Sequence, residues 1–277
     1  MTTNTSDTFL RNFHARFPGA TATAMSWAKM EDGRSSYQRL ADLVPITDQP
    51  LTVLDLACGD GYLLSLLQQR HQPNLHLIGI DMSPEELRAA RQRLNDITIE
   101  LHLEHAQALS LPDASVGVII SHMAFMLMSP IDEVIHEIQR VLKPGGHFYA
   151  IVGGIFQSGD AMSDFAQAAF ALLQQEAITP TALGDPRANS DAGLQTLFTA
   201  KTGFVEPMTL EHLILRLDAP PDQVKTFLLL TYFTTMFSDE TLPKLVTQID
   251  QILANRQRPD GTVPCSVGLR LIKCQRA

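Results

Sequence analysis

Asp55, the glycines of Cys58-Gly59-Asp60-Gly61, and Asp81 are the residues of this chain whose types and spacing suit ligand chemistry. A glycine turn at a strand end lets a ligand touch the main chain. A carboxylate about twenty residues further on, at the end of the next strand, can accept hydrogen bonds from both hydroxyls of a ribose. The pattern reads as a nucleoside site. A diphosphate seated on a helix N-terminus would ask for G-x-G-x-x-G, which this turn does not contain.

These residues need strands and helices that bring them to one edge. The apolar run 51–56 reads as a buried strand, 62–67 takes up a helical pattern, and 75–80 reads as a second strand delivering Asp81. Ser83-Pro84-Glu85-Glu86 has the layout of a capping box, with an N-cap serine, a first-turn proline and a glutamate three residues after the cap. A rigid helix start there would hold Asp81 and Met82 in place. Ile97, Ile99, Leu101 and Leu103 alternate as a strand does, and 116–120 reads as a fourth buried strand ending at Ser121-His122-Met123. Ile131, Val134, Ile135, Ile138, Val141 and Leu142 recur at helical spacing, and Lys143-Pro144-Gly145-Gly146 breaks that helix before a strand over 147–152.

The acid-x-G/A-x-G-x-G form of Asp55-Leu56-Ala57-Cys58-Gly59-Asp60-Gly61, the LKPGG turn and the order of features over residues 35–154 resemble the class I (Rossmann-like) S-adenosyl-L-methionine (SAM)-dependent methyltransferases, in the type 11 or UbiE-like small-molecule branch. The resemblance implies an α/β fold: a seven-stranded, mostly parallel sheet with helices on both faces and an antiparallel last strand. It implies SAM as cofactor and a site built from Tyr37, Asp55, Ala57, Cys58, Gly59, Gly61, Asp81, Met82, Gln107, Ala108, Ser121 and His122. In that family Asp55 falls near the methionine ammonium, although it could instead bond nearby turn amides. Asp81 falls at the ribose, Gln107 (with Leu111-Pro112-Asp113 close behind) at the adenine, and Tyr37 at the methionine end. Asp60 is expected to be solvated or to cap the following helix. Three positions depart from the commonest pattern: Ala57 replaces the first glycine, and Gln107 and Gly117 stand where many members have aspartate. Gln107 can still donate or accept one hydrogen bond at the adenine edge.

Around this core, residues 9–44 read as helices broken at Pro18-Gly19 and near Asp32-Gly33. Helices are expected over 160–175 and 191–199, a loop over 179–189, and a sixth strand over 208–217. A helix from Pro220 through Phe237 and another over 240–256 precede a last strand over 263–274. The expected division is an arm, 1–45; a SAM-binding core, 46–156; an insertion, 157–189; a core helix and strand, 190–218; a second insertion, 219–260; and the final strand, 261–277. The arm and insertions are expected to form a helical lid containing Phe165, Phe170, Phe227, Tyr232, Phe233, Met236 and Phe237, with Phe165, Tyr232, Phe233 and Met236 on an apolar substrate pocket. The plainer reading of the same aromatics is a helix-to-helix core.

Composition narrows the partners. With 21 Lys and Arg against 30 Asp and Glu, scattered along the chain, there is no basic footprint for nucleic acid. The polar N-terminus lacks a signal layout, and the most apolar stretch, 227–237, is too short to span a bilayer, so the expected compartment is the cytoplasm. Cys58, Cys265 and Cys274 are an odd number without metal spacing and are expected to be free thiols; the nine histidines show no metal-ligand spacing either. Exposed helical inserts often pair, which leaves a homodimer open.

If the resemblance holds, the sulfonium already makes the transferred carbon electrophilic, and the protein's tasks are alignment and exclusion of water. His122, after the fourth strand, is the first candidate for a general base, with Tyr37 beside it; His14 and Tyr232 are further candidates. The alternative for His122 is simple packing against the sheet. The expected reaction is methylation of a small, partly apolar molecule at O, N or C, of the kind found in secondary metabolism, leaving S-adenosyl-L-homocysteine (SAH). An alternative is consumption of SAM itself by cyclisation or cleavage, for example to azetidine-2-carboxylate, releasing methylthioadenosine.

Overall fold

The computed structural model describes residues 5–155 and 157–277. Residues 1–4 of the expected arm, and Phe156 at the expected end of the core, lie outside them. The strands are β1 (Leu51–Leu56), β2 (Leu75–Asp81), β3 (Glu100–Leu103), β4 (Val116–His122), β5 (Leu142–Gly153), β6 (Thr209–Ala219) and β7 (Val263–Gln275). They form one seven-stranded sheet in the order β3-β2-β1-β4-β5-β7-β6. β7 runs antiparallel to both its neighbours, and the other pairings are parallel. Strand order reverses between β1 and β4, so their carboxyl ends leave a crevice there, the place where open α/β sheets bind ligands.

The helices are α1 (Thr5–Arg16), α2 (Ala20–Trp27), α3 (Ser36–Ala41), α4 (Tyr62–Gln68), α5 (Pro84–Leu94), α6 (Ile131–Val141), α7 (Ala161–Gln175), α8 (Asp191–Leu197), α9 (Pro221–Leu229) and α10 (Leu242–Arg256). Because strand side chains alternate faces, each central strand feeds two cores. Val53, Val118 and Ile120 pack into a layer with α3, α4, α7, α9 and α10, whereas Leu54, Leu56 and Ile119 pack against α6, Phe125 and Phe198.

Four local expectations are corrected. β3 covers only 100–103, with Ile97 fully exposed and Leu103 more than half exposed, because it is an edge strand with β2 as its single partner. Residues 143–146 continue into β5 as an irregular segment, over which the pairing with β4 jumps from Val116–Leu142 to Val118–His147. The helix expected through Phe237 ends at Leu229, and a 3-10 turn follows over Tyr232–Met236. There the Thr231 and Thr234 hydroxyls donate to the Leu228 and Leu229 carbonyls at 2.8 and 2.9 Å, competing with the helical ladder. Finally, α7, α9 and α10 pack on one another and on β7, so most of the two insertions is a layer on the sheet.

Both open edges of the sheet are modified. Glu100 on β3 pairs with His76 and His102, and on the far side Lys29 makes an antiparallel bridge to Arg216 of β6.

Gly61 starts α4 in the left-handed region, with φ +75°, and a Cβ there would lie 3.2 Å from Ala90 Cβ and from Leu94 Cδ1. It is the close contact between α4 and α5. Gly61→Ala is expected to lower stability by about 1–3 kcal/mol through backbone strain and overpacking, read as a lower urea midpoint with an unchanged slope.

Candidate functional site

At the carboxyl ends of β1, β2 and β4 the chain encloses a cavity of about 1010 Å³ counted out to its mouth. Its floor is the turn after β1. The Gly59 N–H donates to Asp81 Oδ2 at 2.9 Å and the Ser83 N–H donates to Asp81 Oδ1 at 2.8 Å, so one carboxylate ties the glycine turn to the start of α5. Burial holds the Asp81 carboxyl above its ordinary range, against the two N–H donors that favour its ionised form. Ala57 and Met123, each just beyond the end of a neighbouring strand, have φ +62° and +55°. These left-handed non-glycine residues mark the backbone strain common at functional sites.

Asp55 is 1% exposed, and its Oδ2 has no hydrogen-bond partner among the described residues. Burial, reinforced by Asp81 and Asp60, pushes its carboxyl well above the usual range. Asp60 is buried, not solvated: it pairs with Arg93 and accepts a 3.3 Å bond from the Tyr62 N–H at the start of α4. Desolvation raises its carboxyl, with Arg93 opposing.

His122 is 7% exposed. Its Nε2 lies 2.9 Å from the Ser36 hydroxyl, its ring stacks on Tyr37 with centroids 3.6 Å apart, and its Nδ1 is buried without a partner among the described residues. Burial pushes the ring down to about 3, so it is neutral throughout the physiological range. A ring this hard to protonate is a weak general base, and its geometry suits hydrogen bonding to a ligand better.

Of the residues expected at the cofactor, Tyr37, Asp55, Ala57, Cys58, Gly59, Asp81, Met82, Gln107 and His122 line the cavity. Gly61, Ala108 and Ser121 do not. Gly61 is taken up by helix packing, the Ala108 N–H bonds the His105 carbonyl, and the fully buried Ser121 hydroxyl donates to the Leu56 carbonyl at 2.8 Å. The Gln107 side-chain amide donates to the Ser129 carbonyl at 2.5 Å, which fixes its orientation. Tyr232 lines the cavity, whereas Phe165, Phe233 and Met236 lie away from it: Phe165 is fully buried against Phe233, in the helix-to-helix core that was the plainer reading. Gly117, where an aspartate is common, has Leu51 Cδ1 only 2.7 Å from where a Cβ would stand.

The main feature not expected concerns Glu86. Its backbone N–H completes the Ser83 cap at 3.3 Å, but its carboxylate does not return to the cap. Instead it accepts from the Gly19 N–H at 3.0 and 3.1 Å and lies 2.7 Å from His14 Nδ1. His14 Nε2 is in turn 3.2 Å from the Tyr232 hydroxyl. Gly19 allows this approach, since a Cβ there would fall 2.7 Å from Asp60 Oδ2. The glutamate three residues after a serine cap was the visible signal, and it pointed to the wrong partner.

A methyltransferase-domain family model matches residues 53–146, the stretch that holds β1 to the start of β5. That stretch carries the match to the methyltransferase domain family. Residues 53–146 therefore form the methyltransferase core, whose cofactor is SAM. The chain is 30% identical over 174 residues to malonyl-(acyl-carrier protein) O-methyltransferase of Marinomonas sp., covering 61% of this chain and 60% of that protein. It is 30% identical over 117 residues to demethylmenaquinone methyltransferase of Thermus thermophilus, covering 42% and 53%. The chain thus spans less than two thirds of these relatives. Among solved structures, the 4+2 cyclase SpnF shares the fold with a TM-score of 0.57 and 19% identity, over 99% of this chain and 96% of that one.

Asp55→Asn should separate a buried charge from a binding group. The wild-type carboxyl is raised by folding, so its deficit develops as pH rises from the ordinary carboxylate value up to that raised value and is absent below the ordinary one. Without ligand, Asp55→Asn is expected to be about 1–3 kcal/mol more stable near neutral pH, with the gap closing as pH falls. SAH should stabilise it less than wild type. Differential scanning fluorimetry across pH with and without SAH reads both signs.

Proposed function

We propose that this chain is a SAM-dependent methyltransferase acting on a small, partly apolar molecule at O, N or C. The observation that carries the reading is the buried Asp55, whose Oδ2 has no partner among the described residues, beside the Gly59–Asp81 tie inside a cavity bordered by the family's cofactor motif. An ammonium group suits Asp55 Oδ2, and the remaining lone pairs of Asp81 suit ribose hydroxyls. SAM, when bound, supplies a methyl group already activated by its sulfonium. The chain's own tasks are then to hold, orient and dry the reactants.

The charge of the cavity supports a neutral or cationic acceptor. Asp55, Asp60, Asp81, Glu86 and Glu104 line it, and among its described lining residues there is no Lys or Arg. A carboxylate or phosphate would meet no fixed cation and several buried carboxylates, a like-charge arrangement that disfavours binding. Leu10, Ala22, Leu127 and Met128 provide apolar wall for the rest of the molecule. α1 and Tyr232 supply the cover that the wider helical lid was expected to give.

A second reading stands beside it because this fold does not fix the chemistry: a protein named as a 4+2 cyclase shares the architecture over nearly the whole chain. Under that reading SAM is consumed without an acceptor, by cyclisation or cleavage.

Incubation of the chain with SAM, alone and with neutral or amine acceptors, followed by mass spectrometry of the nucleoside products, tests both readings. SAH that accumulates only with an acceptor supports methyl transfer; methylthioadenosine from SAM alone supports the second reading. Asp81→Ala is expected to weaken SAH binding in calorimetry by about 1.5–3 kcal/mol, the worth of hydrogen bonds to a charged group. Unchanged heat would overturn the placement of the sugar.

A further inference from the structure

Three segments far apart in sequence meet on one wall of the cavity: Glu86 from the first turn of α5, His14 from α1, and Tyr232 from the 3-10 turn after α9. Glu86 is 2% exposed and held from the other side by the Gly19 N–H, so its carboxylate cannot swing away without breaking the turn between α1 and α2. A carboxylate 2.7 Å from His14 Nδ1 selects the tautomer with the proton on Nδ1, leaving Nε2 to accept from the Tyr232 hydroxyl at 3.2 Å. Thr21 lies on the same cavity wall. Phe13 packs on both rings, with centroids 5.2 Å from His14 and 4.6 Å from Tyr232. A carboxylate that orients an imidazole, which in turn accepts from the hydroxyl of a residue lining a ligand cavity, is the arrangement of a general-base chain.

We propose that Glu86, His14 and Tyr232 form a proton relay whose outer member, Tyr232, takes the proton from an acceptor O–H or N–H. The inference rests on the methyl-transfer reading. As the acceptor's lone pair forms its bond to the methyl carbon, the C–S electron pair returns to sulfur. The acceptor's proton passes to the Tyr232 oxygen, and the phenol's own proton passes to His14 Nε2. Glu86 then faces an imidazolium, and the proton leaves to solvent when the cavity opens. Tyr232 is the catalytic residue, whereas His14 and Glu86 act through it as positioning residues.

The test begins with ¹⁵N NMR of the imidazoles in the full chain loaded with SAH, which needs no acceptor. His14 is expected as the Nδ1–H tautomer, with its Nε2 resonance moved by Tyr232→Phe and its Nδ1–H signal lost to exchange in Glu86→Gln. An Nε2–H tautomer, or resonances indifferent to both substitutions, overturns the relay. With an acceptor that yields SAH, Tyr232→Phe is expected to lower kcat about 10²-fold or more, with the KM for SAM within about threefold and the loss shrinking as pH rises and the acceptor sheds its own proton. A kcat loss under threefold, or one constant with pH, also overturns the relay. The expected NMR pattern without SAH from any acceptor overturns the methyl-transfer reading instead, and removes the relay's task with it.

Discussion

The rest of the site depends on one buried carboxylate that is shared between two strand ends. Asp81 accepts from Gly59 after β1 and from Ser83 before α5, and a carboxylate taken out of water needs such donors to remain ionised. The two bonds set the glycine turn and the first turn of α5 at a fixed separation. That in turn places Glu86, one helical turn into α5, where it faces the arm instead of its own cap. Cofactor motif and arm are therefore positioned by the same few atoms.

The second constraint is electrostatic. Carboxylates outnumber cations around the cavity: Asp60 has Arg93, but Asp55 Oδ2 has no partner among the described residues. A fold normally avoids such an arrangement, since each lone buried charge costs free energy. It is tolerable where a positively charged ligand completes the set, and binding that ligand draws on energy withheld during folding.

Much of this was legible in the sequence. The alternation of apolar strands and helical runs, the glycine turn and the LKPGG segment place β1, β2, β4 and β5 and the helices between them. Asp55, Asp81, Gln107 and His122 stand on one cavity as their positions imply. What the sequence did not carry is partner choice. Ser83-x-x-Glu86 is compatible with a capping box, and only the approach of Gly19 and His14 diverts the carboxylate. Aromatic residues at helical spacing do not say whether a helix faces a ligand or another helix; Phe165 and Phe233 face each other, whereas the break after Leu229 turns Tyr232 to the cavity. Ser121, at the end of a strand bordering the cavity, turns its hydroxyl to the Leu56 carbonyl, a choice set by strand register.

An open sheet with two free margins is a template on which a foreign strand could polymerise. Here one margin is four residues long and carries Glu100, hydrogen-bonded to His76 and His102, while at the other the main chain of Lys29 already occupies part of β6. The sheet is thereby left finite, with little of either margin open to β-augmentation.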